Sequence, residues 1–142
     1  MEKRVVMTLH LPPLPASVAQ ARHATDALAG LLSAASLEDV RLMLSELVTN
    51  SIRHARLEAG ELIEIRSDLR GQTLRTSVRD HGVGFVPSPR STASPDDRGW
   101  GLFLVSRLAD RWGITGRGGR TTVWFEVALD RDARTGELAP AP

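Results

Sequence analysis

Two runs of alternating character, Glu61–Leu69 and Gln72–Asp80, meet at Arg70-Gly71, a spacing that predicts two strands joined by a tight hairpin. In the second run Leu74, Thr76, Val78 and Asp80 share one parity, while Thr73, Arg75, Ser77 and Arg79 take the other. One side of this strand therefore belongs on a core, and Asp80 is carried to that inward side. A further strand pair is predicted at Trp112–Thr115 and Thr121–Leu129. In the latter, Thr121, Val123, Phe125, Val127 and Leu129 alternate against Thr122, Trp124, Glu126 and Ala128. At the amino-terminal end Arg4–Leu11 reads as an edge strand, stopped by Pro12, Pro13 and Pro15.

Between the first strand and the hairpin the period changes to that of a helix. Ser17 is the expected N-cap of a first helix in which Val18, Ala21, Thr25, Leu28 and Leu32 repeat to about Ala34. Ser36, with Asp39 three positions on, resembles a capping box for a second helix over about Leu37–Leu57. At about 100° per residue, Val40, Leu44, Leu47, Val48, Ser51 and Ala55 fall on one arc. Glu46, Asn50 and Arg53 line its border. The stretch Val86–Arg98, rich in Pro, Ser and charge, reads as a mobile loop, and Gly99–Ala109 resumes a helical pattern.

A chain of 142 residues, 42% apolar and 25% charged, has the profile of one domain with a real core. Residues 1–130 are expected to form it, and 131–142 a disordered tail. Eighteen basic residues oppose seventeen acidic ones, so no global charge draws the chain to nucleic acid or an anionic membrane. Having no cysteine excludes disulfides, thiol catalysis and cysteine-ligated metals. The opening MEKRVVMTLHLPPLP lacks a sustained apolar segment, and no run reaches about 18 apolar residues. The expectation is a cytoplasmic protein with no direct nucleic-acid or membrane partner.

An inward carboxylate costs several kcal/mol unless it finds donors. For Asp80 an exocyclic purine amine is one such donor. Taken alone, however, Asp80-His81-Gly82-Val83-Gly84 is better explained by an aspartate ending a strand and two turn glycines, Gly82 and Gly84. Thr121 has the same inward parity and can complete recognition of a base, although strand threonines mostly pack. Glu46 and Asn50 alone would read as a solvated helix face. On the border of a core stripe they are also suited to phosphoryl chemistry, with Asn50 a neutral oxygen ligand for Mg²⁺ and Glu46 a general base. Arg98-Gly99-Trp100-Gly101-Leu102 leaves the polar loop and opens a helix whose amides suit phosphate, with Arg98 placed to touch the β or γ phosphate. It is neither a Walker A loop nor a dinucleotide fingerprint, and a solvated arginine accounts for Arg98 equally well. His10, His23, His54 and His81 have no metal-ligand spacing.

In this order, ELVTNSIRHA resembles the N box, RDHGVGF the G1 box and RGWGLFLV the G2 box of the GHKL, or Bergerat-fold, ATPases. GGRTTVWFEV is similar to their closing strand, and the match runs from about Arg4 to Leu129. Chain length, Glu-x-x-x-Asn and V-W-F-E look most like the anti-sigma factor serine/threonine kinases. The resemblance implies an α/β two-layer sandwich, with helices on one face of a mixed, mostly antiparallel sheet. It implies ATP or ADP with Mg²⁺ as ligands, Glu46 as general base and Asn50 as metal ligand. It also implies nucleotide contacts from Asp80, Gly82, Gly84, Gly99 and Gly101, to which this chain's own Arg53, Arg98 and Leu102 are added as candidates, although the family's arginine stands one residue further from the glycines than Arg98. An extra Arg120 before the closing strand leaves Thr121 and Thr122 as rivals, of which parity favours Thr121.

The function so implied is a partner-switching kinase that sequesters a sigma factor and phosphorylates an anti-sigma-factor antagonist; a homodimer is left open. The alternative is a nucleotide-gated protein-binding module without phosphotransfer. The catalytic domain of a histidine kinase is disfavoured, because no dimerisation helix bearing a phosphoacceptor histidine precedes the motifs.

Overall fold

The computed structural model describes residues 2–54, 60–81 and 100–129. Nine elements follow in order: β1 (Lys3–Leu11), α1 (Ala16–Ala24), a 3₁₀ turn (Thr25–Leu28), α2 (Ala34–His54), β2 (Ile63–Arg70), β3 (Thr73–Asp80), α3 (Trp100–Leu108), β4 (Arg111–Arg117) and β5 (Arg120–Ala128). The strands form one sheet in the order β1-β2-β3-β5-β4. The expected mixed sheet is antiparallel throughout the described pairings. β2–β3 and β4–β5 are hairpins, whereas β1 reaches β2 through the first two helices and β3 reaches β5 past α3 and β4; with every described pairing antiparallel, no parallel crossover is needed.

The hairpins sit where glycine allows them. Arg70 pairs with Thr73 around Gly71, whose φ is 60°. Arg117 pairs with Arg120 around Gly118 and Gly119, with φ of 62° and 77°. Two consecutive positive φ values are the signature of a type I′ turn, whose twist matches that of the strands it joins.

The helices lie on one face of the sheet, and the core fills the space between. Val40, Met43, Leu44 and Val48 from α2 are fully buried, as are Ile63, Ile65 and Phe125 from the sheet and Val105 from α3. A fully buried polar cross-strand pair, Ser67 and Thr76, is satisfied by a mutual hydroxyl bond of 2.8 Å. A shared hydroxyl bond avoids the penalty of burying two unpaired groups.

The first helix departs from expectation. It ends at Ala24 and continues as a 3₁₀ turn, yet Ala21, Thr25, Leu28 and Leu32 are all buried as the spacing demanded. Thr25 donates its hydroxyl to the Arg22 carbonyl, and its own N–H reaches the Arg22 and His23 carbonyls, which tightens the chain. Ser17 is not the N-cap. Pro15 holds that position, and the Ser17 hydroxyl, now inside the helix, donates to the Pro12 carbonyl at 2.6 Å. The cap of α2 is likewise not Ser36 but Ser33, whose hydroxyl accepts the Ser36 N–H at 3.1 Å. Arg41 then ties α2 to the 3₁₀ turn, with 2.8 Å bonds to Glu38 and Thr25 and one of 2.6 Å to Asp26. The Glu38 hydrogen bond, with help from Asp26, holds the Arg41 guanidinium above its ordinary pKa.

Candidate functional site

The helix α2 lies against the sheet. Six core residues of this helix, from Leu37 to Val48, anchor it, and it packs on β3, β5 and α3. Glu46, Asn50 and Arg53 fall within a narrow arc, as 3.6 residues per turn requires. Their exposure grades across it: Asn50 is buried at 7%, Glu46 is half-buried and Arg53 is exposed.

The Asn50 carboxamide is poorly provided for. Its Nδ2 is buried and has no hydrogen-bond partner among the described residues. An orphaned amide inside a protein costs about 1–3 kcal/mol, a cost that a ligand contact would remove. The side chain therefore has the burial and the unused capacity expected of a ligand-facing group. An amide oxygen and waters are also donors of the kind Mg²⁺ accepts, so the residues present fit that ion.

The sheet carries two further candidates. Asp80 ends β3 at 9% exposure on the helix-covered face, and Thr121 is its direct cross-strand partner on β5. Directly opposed residues bring their Cβ atoms within about 5.5 Å, so carboxylate and hydroxyl can address one group between them. Thr122 pairs with Arg79 instead and looks out from the other face. Parity thus puts Thr121, not Thr122, beside Asp80. Arg120 belongs to β5 itself, opposite Arg117, rather than being an insertion before it.

Gly101 lies in the first turn of α3, and Leu102 is fully buried in the core under that turn. Gly82, Gly84, Arg98 and Gly99, together with the 86–98 loop, lie outside the described residues, as do Ala55 and the 131–142 tail. No described helix is long and apolar enough to cross a membrane. Periodicity passed over two contributors. Met43, three residues after Val40 and four before Leu47, is fully buried, and its spacing was a legible signal. Arg41 had none, because its partners lie on a different element.

Against known protein families, residues 11–127 match the histidine kinase-like ATPase domain. The chain belongs to this family. As a histidine kinase-like ATPase domain it carries the α/β sandwich implied by its N, G1 and G2 box resemblances, with helices packed on an antiparallel sheet. Solved structures share that fold. The RsbU and RsbW domains of Rv1364c from Mycobacterium tuberculosis superpose with a TM-score of 0.67 at 19% identity, covering 90% of this chain and 32% of that one. The histidine kinase domain of the Erythrobacter litoralis EL346 blue-light activated histidine kinase gives 0.59 at 20% identity, with 84% and 62% covered. The Acinetobacter baumannii histidine kinase AdeS gives 0.53 at 12% identity, with 88% and 68% covered. This ATPase domain thus spans about a third of the first of these chains and about two thirds of the others. No curated protein matches the sequence.

Proposed function

We propose that this ATPase domain binds ATP between the α2 border and the Asp80 end of the sheet and passes the γ-phosphoryl group to a serine or threonine hydroxyl of a partner protein. The observation that carries the reading is the direct pairing of Asp80 with Thr121 on the helix-covered face, together with an Asn50 Nδ2 on α2 that is buried with no hydrogen-bond partner among the described residues. Asp80 accepts the exocyclic amine of adenine, and the Thr121 hydroxyl supports the same base edge. Asn50 would hold Mg²⁺, which when bound offsets phosphate charge. Arg53, exposed at the mouth, and Gly101 at the start of α3 attend the phosphates, with Gly82, Gly84, Arg98, Gly99 and Leu102 completing the set.

Glu46 takes the proton of the attacking hydroxyl. Its oxygen bonds to the γ-phosphorus, the bond from that phosphorus to the β–γ bridging oxygen breaks, and ADP departs with the electron pair. The partner side is an anti-sigma-factor antagonist as phosphoacceptor and a sigma factor as the sequestered protein, in a cytoplasmic switching system. The resemblance of the N, G1 and G2 boxes supports this, as does the fold shared with the RsbU and RsbW domains of Rv1364c.

Labelled ATP incubated with candidate antagonists tests it. Label should pass to one of them, and Glu46→Gln should abolish transfer while ATP still binds. Transfer to no cognate partner, with regulation intact in Glu46→Gln, would leave a nucleotide-gated binding module.

A further inference from the structure

The strand residues that point away from the helices form a second surface, and its charge is lopsided. Three acids lie on it, each already bridged. Asp68 takes Lys3, Arg66 and Arg70; Glu126 takes Arg75 and Arg111; Glu64 takes Arg79 and His10. Two further arginines, Arg117 and Arg120, make no ion pair among the described residues. A chain of net charge +1 thus concentrates eight permanent cations against three anions on one face.

The surplus gathers in one place. Arg117 and Arg120 are cross-strand partners on either side of the Gly118-Gly119 turn. Like charges directly opposed destabilise a hairpin, and neither arginine has a carboxylate within ion-pair distance among the described residues. Beside them Arg79, Thr122 and Thr115 stand in register across β3, β5 and β4. Together these side chains line an open cleft of about 830 Å³, with Gly116 and Gly118 at its edge. Every ionisable lining group is a guanidinium, and the other side-chain polar groups are hydroxyls.

Arginine forks match the paired oxygens of carboxylates and phosphates alike. The count of donors separates the two. A carboxylate is filled by one fork, whereas a phosphate monoester offers three oxygens and nearly two charges, the complement of the Arg117 and Arg120 guanidiniums, the Arg79 guanidinium it would share with Glu64, and two hydroxyls. We propose that the cleft lined by Arg79, Arg117, Arg120, Thr115 and Thr122 binds a phosphate monoester dianion, on the opposite side of the sheet from the nucleotide site. The side chains are distinct from those assigned to ATP, so the two readings stand or fall separately.

Calorimetric titration at low ionic strength with inorganic phosphate, then with a phosphoserine peptide and its glutamate counterpart, tests the site. Both phosphate probes should bind, and the phosphopeptide binding the tighter would identify a phosphoprotein, rather than a free phosphate, as the source. The Arg117→Gln/Arg120→Gln pair should weaken each by about tenfold or more, the worth of losing two charge-assisted contacts. Its thermal midpoint should hold or rise, since a repulsive pair is removed. Thr122→Val, which keeps shape and charge, should weaken binding by about threefold through one lost hydroxyl. Asn50→Ala should leave phosphate binding unchanged. Phosphate lost in Asn50→Ala but kept in the double variant would assign the anion to the nucleotide site and overturn the proposal. Binding of the glutamate peptide as tight as that of the phosphopeptide would overturn it too, as would no binding of phosphate at tens of millimolar.

Discussion

The two faces of the sheet are made from alternate residues of the same strands, yet they treat polar groups in opposite ways. On the covered face Leu74, Val78, Phe125 and Val127 lie under the helices, and polar groups occur as matched partners, Ser67 with Thr76 and Asp80 opposite Thr121. On the open face polar groups dominate, and the largest apolar group among them is Trp124. Its ring lies 3.9 Å beneath the Arg75 guanidinium, which in turn bonds Glu126 at 2.8 and 2.9 Å. The covered side gains stability by excluding water. The open side holds its charges by mutual neutralisation, incompletely at Arg117 and Arg120. A ligand that needs a dry, shaped wall belongs to the first, and a multiply charged anion to the second.

This contrast can be broken at graded cost. Phe125→Ala, which empties the largest fully buried side chain, should destabilise by about 3–5 kcal/mol in urea denaturation. A cost below about 1 kcal/mol would mean that the covered face is not the core. Asp80→Asn sharpens the contrast at the edge of the core. ATP affinity should fall about 10–100-fold, roughly 1.4–2.8 kcal/mol by calorimetry, with little change in melting temperature. Unchanged affinity would return Asp80 to the role of a strand-ending residue.

Gly113→Ala probes the open face from β4. An added Cβ would stand 2.5 Å from the Trp124 ring, so the indole must swing away from Arg75. About 1–2 kcal/mol should be lost, together with a shift in tryptophan emission. Lys3→Ala removes one of three cations around Asp68, at 3.6 Å and half-exposed, and should cost no more than about 0.5 kcal/mol. A larger loss would show that the charge lattice of the open face carries stability comparable to the core.

Much of this was legible in the residue order. Alternation located the hairpin at Arg70-Gly71 and assigned Asp80 and Thr121 to one side. Helical spacing found Val40, Leu44, Leu47 and Val48. These signals are readable because a strand or helix repeats its geometry along the chain, so one face collects its residues at a fixed period. Caps were less legible. Ser17 and Ser33 are both serines near a helix start, and each hydroxyl chooses among several nearby backbone groups by fine differences in geometry. Thr25 shows the same limit: its burial followed from spacing, but the tightening of the helix there came from a hydroxyl bond.

The amino-acid order was therefore enough to specify the elements, the inward residues and the box motifs that mark a histidine kinase-like ATPase. Folding alone brought Asp80 level with Thr121, ringed Asp68 with Lys3, Arg66 and Arg70, and gathered Arg79, Arg117 and Arg120 around one cleft. Register between strands far apart in sequence depends on which apolar faces bury together and how each turn closes, and neither is written in the local pattern of any one segment.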